Sequence, residues 1–152
     1  MSGKFIVALT VFSILASSLF AEELKDPDWI KEVATQRIVY LIPEMKLVHV
    51  KKNIIYKHTP QEDLLMDVYS APQEKGNRPV VFLVHGGALP SNLKTKPKEW
   101  GSYVSYGELV AASGFTCVAL NLRFYDWADL KTPESDLEDA LAYGPAHTSP
   151  AS

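Results

Sequence analysis

The chain has 152 residues, of which 47% are apolar and 22% are charged, and these values are typical of one small globular domain. Its formal net charge of −3 gives no reason to expect a nucleic acid or an anionic membrane as partner. The single cysteine, Cys117, excludes an internal disulfide, and its apolar neighbours predict a small buried hydrophobic residue rather than a reactive thiol.

The first 21 residues differ in composition from the rest of the chain. Lys4 precedes an apolar run at residues 5–15, small residues follow, and Ala21 stands directly before two glutamates. This order predicts a Sec-type secretory signal peptide that is cleaved after Ala21. We therefore expect an exported protein, periplasmic or secreted, with no stable membrane insertion after cleavage. An N-terminal membrane anchor that is not cleaved is the alternative.

Residues 22–44 predict a short helical segment ahead of the main domain. Asp26 and Pro27 suit the N-cap and the first turn of a helix. Four apolar residues follow at roughly helical spacing: Trp29, Ile30, Val33 and Ile38. We expect an amphipathic helix that ends near Pro43 and covers one edge of the domain, and a partner-binding helix is the alternative.

Two strands are expected next, at residues 47–56 and 64–69. Both are rich in apolar and β-branched residues, and the polar stretch at residues 59–63 between them is typical of a turn. Two strands joined by such a short connection predict an antiparallel hairpin.

Residues 79–122 predict a β-α-β unit. The continuous apolar run at residues 79–84 is typical of a parallel strand covered on both faces, and residues 115–120 form a second such run. Between them we expect a helix over residues 102–113, ended by Gly114, with a right-handed crossover. Residues 88–100 predict a long exposed loop whose three lysines, at positions 94, 96 and 98, are interpreted as solvated; contact with an anionic substrate group is the alternative.

A last helix is expected to begin with Thr132 as N-cap and Pro133 in its first turn. Asp136 and Asp139 are interpreted as first-turn helix charges rather than a catalytic carboxylate pair. Gly144 and Pro145 predict the end of this helix, because proline lacks the N–H that the helix needs. Residues 144–152 are therefore expected to be an aberrant or disordered tail.

Three motifs resemble the α/β-hydrolase superfamily, in its esterase/lipase and dienelactone-hydrolase-like branches. They are His85-Gly86-Gly87 after the first apolar strand, Met66-Asp67-Val68-Tyr69 in the hairpin, and Asn121-Leu122-Arg123 after the second apolar strand. The resemblance covers residues 45–143 and implies the N-terminal half of an α/β-hydrolase fold. It also implies an oxyanion hole at Gly86, Gly87 and Ala88, where Ala88 takes the place of the family's third glycine and still supplies an N–H if its φ is negative. By the same resemblance His85 has a structural role and Arg123 braces the floor of the active site.

The sequence lacks the remaining parts of that catalytic machinery. No glycine opens a Gly-x-Ser-x-Gly elbow, so no nucleophile is assigned here. In the family the acid and the catalytic histidine follow the nucleophile along the chain, so neither of them is assigned here. The four histidines (His49, His58, His85 and His147) show no metal-ligand spacing, and we expect neither a metal nor a cofactor.

These observations predict the N-terminal part of an exported serine hydrolase that acts on small carboxylic esters and is inactive as it stands. The missing triad would be encoded beyond residue 152 or lost through a frame change near Tyr143. The alternatives are a non-catalytic exported binding module and a peptidase of the same fold. Without a neighbouring strand, residues 79–84 would form an exposed sheet edge, and we expect the chain alone to be poorly soluble.

Overall fold

The structure is a computed structural model and describes residues 28–72 and 78–147. The predicted signal peptide, the predicted helix start at Asp26 and Pro27, and residues 148–152 of the predicted tail lie outside the described residues. No helix within the described ranges is both long and apolar enough to cross a membrane.

Four strands of the described chain form one mixed sheet: β1 (His49–His58), β2 (Asp63–Ser70), β3 (Val80–Leu83) and β4 (Thr116–Leu120). Their order across the sheet is β1-β2-β4-β3, in which β2 runs antiparallel to both neighbours and β3 runs parallel to β4. The helices are α1 (Asp28–Thr35), α2 (Gly101–Ala112) and α3 (Lys131–His147), with 3₁₀ turns at Pro43–Leu47 and Pro97–Glu99. The predicted hairpin and the predicted β-α-β unit are both confirmed.

Alternation along β4 divides the core between the two faces of the sheet. Val118 and Leu120 belong to a cluster that also contains Ala140 of α3, whereas Cys117 and Ala119 belong to a cluster that contains Ala111 of α2. Because successive side chains of a strand point to opposite faces, α2 and α3 cover opposite sides of the sheet. Cys117 is buried, as predicted.

β3 forms one edge of the sheet within the described residues. Each of its four residues is only half-buried, so the expected covering of both faces is partial, whereas the expectation of an edge is confirmed. Phe82 packs in the cluster on the α3 side and Leu83 in the cluster on the α2 side. Both helices touch the strand, but no described strand lies on its outer side.

The N-terminal helix is shorter than predicted, because α1 ends at Thr35 rather than near Pro43. The Thr35 hydroxyl bonds back to the carbonyl oxygens of Lys31 (3.1 Å) and Glu32 (3.0 Å), and the chain leaves the helix here. The Ile38 N–H instead donates to the Ser105 hydroxyl of α2 at 3.1 Å. Ile38 is therefore joined to α2 by its backbone and does not continue the helix.

Both predicted ends of α3 are wrong. At its start the Asp129 carboxylate accepts hydrogen bonds from the Thr132 N–H (3.1 Å) and hydroxyl (2.6 Å), so Asp129 rather than Thr132 supplies the capping oxygen. At its end the helix passes through Gly144 and Pro145 to His147. A β-carbon added at Gly144 would lie 2.6 Å from the Phe82 ring, so this glycine marks a close approach to β3. Pro145 affects only the final turn, where few helical hydrogen bonds remain to be lost.

Candidate functional site

The 85–88 segment directly follows β3, at the end of the sheet where β4 also ends. Gly87 has a φ of +98°, which a residue with a side chain adopts only under strain. Asn53 is the only non-glycine residue with positive φ in the described chain, so Ala88 keeps a negative φ, as the predicted role of its N–H requires.

Three consecutive backbone donors of this segment have no protein acceptor within the described residues: the N–H groups of Gly86, Gly87 and Ala88. The next donor along the chain, the Leu89 N–H, bonds to the Phe124 carbonyl oxygen at 2.8 Å. This hydrogen bond fixes the loop after β3 to the loop after β4. The free donors therefore lie just before a fixed point, and they remain available to an anionic or carbonyl oxygen.

Trp127 forms a wall beside these donors. A β-carbon added at Gly87 would lie 3.6 Å from Cζ2 of the Trp127 ring. The ring packs edge-on against Phe124, with centroids 4.9 Å apart, yet 67% of Trp127 remains exposed. A large apolar ring exposed next to free N–H groups can shield a bound oxygen from water.

His85, the first residue of the segment, is buried and only 5% exposed. It stacks on Phe124 with centroids 6.4 Å apart, and among the described residues neither ring nitrogen has a hydrogen-bond partner. Burial lowers the pKa of His85, and nearby backbone groups of Leu122 and Gly87 oppose that shift only in part. The ring is therefore neutral at pH 7 and packs as an aromatic side chain.

Glu62 joins the loops on either side of this site, a role that the sequence did not suggest. It lies at the end of the turn between β1 and β2. Its Oε1 accepts the Tyr125 hydroxyl, and its Oε2 lies 3.3 Å from Lys96 Nζ. All three residues line one small pocket together with His85 and Leu89.

Asp136 is the centre of a buried group of ion pairs, so its interpretation as an ordinary first-turn charge is wrong. Its carboxylate accepts bonds from Arg123 Nη2 (2.7 Å), Arg123 Nε (3.0 Å) and the Arg123 N–H (3.0 Å), and Lys57 Nζ lies 2.8 Å away. Asp139, one turn later on α3, is exposed, and among the described residues its ion-pair partner is Lys57. Arg123 thus braces the start of α3 against the end of β4, and its hydrogen bonds within the described chain do not reach the 85–88 segment.

Lys98 is buried, which contradicts the interpretation of all three loop lysines as solvated. Its ammonium lies 3.1 Å from Asp67 Oδ1 and donates to Asn53 Oδ1 at 2.8 Å. Asn53 adopts its positive φ at an irregularity in the β1–β2 pairing, where its N–H donates to the same Asp67 oxygen at 2.8 Å. The long loop is therefore fastened to the sheet by one buried cation.

The remaining candidate groups are spread over the fold. His49 and His58 lie at the two ends of β1, and His58 Nδ1 contacts Asp63 at 2.7 Å. Ser105 and Ser113 bond to helix carbonyl oxygens, so neither is activated as a nucleophile. In the described ranges no three His, Cys, Asp or Glu residues come together as a metal site.

The comparisons with known proteins agree with this fold. The model of the BD-FAE family matches residues 66–149, which is more than half of the chain. The structure resembles that of esterase B from Lactobacillus rhamnosis (HN001), with a TM-score of 0.53 and 16% identity over 90% of this chain and 39% of that one. A phosphonate-inhibited form of esterase B gives a TM-score of 0.52 and 18% identity, over 90% and 40%.

The chain spans about two fifths of the length of these esterases, and the likeness at this identity concerns the fold alone. No curated protein matches the sequence. The described elements correspond to the N-terminal part of the α/β-hydrolase fold, as the sequence motifs imply. The extent of the family match shows that the chain belongs to the BD-FAE family, which is related to the α/β-hydrolases.

Proposed function

We propose that this chain is the N-terminal part of an exported carboxylic-ester hydrolase, in which the 85–88 segment stabilises the oxyanion of an acyl-transfer reaction. The observation that carries the proposal is the set of three N–H groups, at Gly86, Gly87 and Ala88, that have no acceptor among the described residues. Fixed backbone donors aimed at a developing negative charge stabilise a tetrahedral intermediate without reorganisation. Gly87 supports the proposal, because its positive φ is typical of tight loops in which the backbone approaches a ligand closely.

The reaction also needs a nucleophile, an acid and a histidine, and the 152 residues supply no Gly-x-Ser-x-Gly elbow. We infer that this chain alone is inactive and that further sequence supplies the triad. A small-molecule ester is the substrate class that this acyl-transfer chemistry implies for the extended protein.

The test begins with the coding DNA downstream of the Tyr143 codon, translated in all three forward frames. We expect a frame that encodes a strand, Gly-x-Ser-x-Gly and later Asp and His, and the extended protein should hydrolyse short-chain aryl esters while the 152-residue chain does not. A genuine stop after Ser152 with no such frame would leave the non-catalytic binding module as the better proposal.

The oxyanion role is tested in the extended protein with Gly87→Ala. The added side chain strains the backbone at a φ of +98°, displaces the N–H groups, and should lower kcat about a hundredfold. Gly114→Ala is the matched control, because Gly114 has a φ of +97° but lies at the end of α2. Equal losses in the two variants would contradict the assignment of the 85–88 segment.

Export is tested separately by the mass of the mature N-terminus, which we expect to begin at Glu22. A protein that still begins at Met1 would contradict cleavage and favour the N-terminal anchor.

A further inference from the structure

We propose that Glu62 is a positioning residue for the 85–88 segment, because its carboxylate holds the two loops that border the segment in one arrangement. The inference rests on the proposed function and deepens it, since it names a side chain outside the resembling motifs that keeps the oxyanion donors in place.

The backbone of Glu62 is fixed before its side chain makes any contact. The Thr59 N–H donates to the Glu62 carbonyl oxygen at 3.2 Å, and the Thr59 hydroxyl donates to that oxygen at 2.6 Å. The Glu62 N–H in turn donates to the Thr59 hydroxyl oxygen at 3.1 Å. Glu62 therefore extends from a rigid turn.

Each carboxylate oxygen of Glu62 holds a different loop. Oε2 pairs with Lys96 of the loop after β3, at 3.3 Å, and Oε1 accepts the Tyr125 hydroxyl of the loop after β4. Burial, with the neighbouring carboxylate, raises the pKa of Tyr125, so its hydroxyl remains a donor at neutral pH. A single side chain thus bridges the two loops, in addition to their backbone and aromatic contacts.

These two loops meet at one backbone hydrogen bond, from the Leu89 N–H to the Phe124 carbonyl oxygen. Tyr125 directly follows the acceptor residue, and Ala88, with its free N–H, directly precedes the donor residue. Loss of the Glu62 contacts would loosen both partners of this hydrogen bond. The free N–H groups would then lose their fixed direction.

Glu108 provides a matched control for a merely stabilising carboxylate. It is also a partly exposed glutamate with a cationic partner, Arg37, but that pair joins α2 to the chain after α1 and holds neither loop. Glu62→Gln separates the two contacts of Glu62, because an amide oxygen still accepts the Tyr125 hydroxyl while the ion pair with Lys96 is lost.

The experiment compares Glu62→Ala, Glu62→Gln and Glu108→Ala with the unchanged sequence by ¹⁵N NMR, in the extended protein that also carries the triad. The measurements are the exchange rate of the Leu89 amide and the shifts of the Gly87 and Ala88 amides during titration with ethyl methylphosphonate, an oxyanion mimic. Sodium chloride at equal ionic strength controls for non-specific anion effects.

For Glu62→Ala we expect Leu89 exchange to rise, and phosphonate affinity to fall, by about two- to fivefold. Glu62→Gln should lie between this variant and the unchanged chain.

The inference is overturned if Glu62→Ala leaves the Leu89 exchange rate unchanged, or if Glu108→Ala raises it equally. A different result bears on the proposed function. If the unchanged chain shows no saturable phosphonate shift at Gly87 and Ala88 while Leu89 exchange still responds to Glu62, the oxyanion assignment fails and the positioning of the loop by Glu62 is supported.

Discussion

Replacing Asp136 by asparagine removes a buried negative charge on which two cations depend. The carboxylate has no exposed surface, and it receives three hydrogen bonds from Arg123 and one ion pair from Lys57. Asparagine has nearly the same shape, but it is neutral and presents an NH₂ group to one of the two cations. The variant therefore tests charge rather than packing.

The expected loss of stability follows from the burial of Asp136, Arg123 and Lys57. Removing one member of a buried ion pair costs about 3–5 kcal/mol, because the other charge is left without compensation. Here the side chains of Arg123 and Lys57 keep 18% and 19% of their surface exposed, so water can solvate them in part. We therefore expect the lower end of that range, about 3 kcal/mol, which corresponds to a fall in Tm of about 10 °C.

The assay is urea unfolding followed by circular dichroism at low micromolar concentration, with equal m-values required for the comparison. Asp139→Asn is the matched control, since Asp139 lies one turn later on α3, is 51% exposed and, within the described chain, pairs with Lys57 alone. It should cost less than about 1 kcal/mol. If Asp136→Asn is no more destabilising than this control, the buried cluster does not stabilise the fold and the reasoning is refuted.

Three further outcomes can be measured in similar ways. Burial alone would raise the pKa of Asp136, but the hydrogen bonds from Arg123 and Lys57 hold it below its ordinary value. The stabilisation that the Asp136 charge contributes is therefore present above about pH 4 and is lost as the pH falls through the lowered pKa of the folded state. The free energy of unfolding, measured from pH 5 to 2, should consequently fall less steeply in Asp136→Asn than in the unchanged chain. Gly107→Ala would place a methyl group 2.8 Å from the Tyr69 ring and should cost about 1–3 kcal/mol in urea unfolding, although alanine normally favours a helix; an unchanged or higher stability would contradict this packing. Val84→Lys adds a charge next to the edge strand and should reduce concentration-dependent light scattering, whereas Val39→Lys, at another exposed site, should not; equal effects would contradict association through β3.

The sequence was sufficient to predict the order and type of the strands and α-helices, because each depends on neighbours along the chain. The two apolar runs became β3 and β4, and Gly114 ends α2 with a φ of +97°, as its position after the helical pattern predicts. The edge position of β3 also followed, since it depends on which strands are present to pair with it.

The buried charges were not predicted, because each is paired with residues distant in the sequence. Lys98 stood among three lysines in a loop that also contains prolines, and nothing local distinguishes it from Lys96. The sequence does indicate the partner of Lys98. Asp67 interrupts an apolar strand between Met66 and Val68, and a carboxylate buried there needs a cation. Asp136 likewise shares a helix face with Ala140, which packs in the core.

The antiparallel hairpin explains why Glu62 reaches the candidate site at all. β2 pairs antiparallel with β4, so the beginning of β2 meets the end of β4, where the Asn121 N–H donates to the Leu65 carbonyl oxygen at 3.0 Å. The turn that precedes β2 must therefore lie beside the loops that follow the parallel strands. A parallel strand in the place of β2 would put its preceding turn at the opposite end of the strands, away from these loops. The hairpin thus supplies the carboxylate that holds the loops, and the direction of one strand connects the β1–β2 turn to the proposed oxyanion donors.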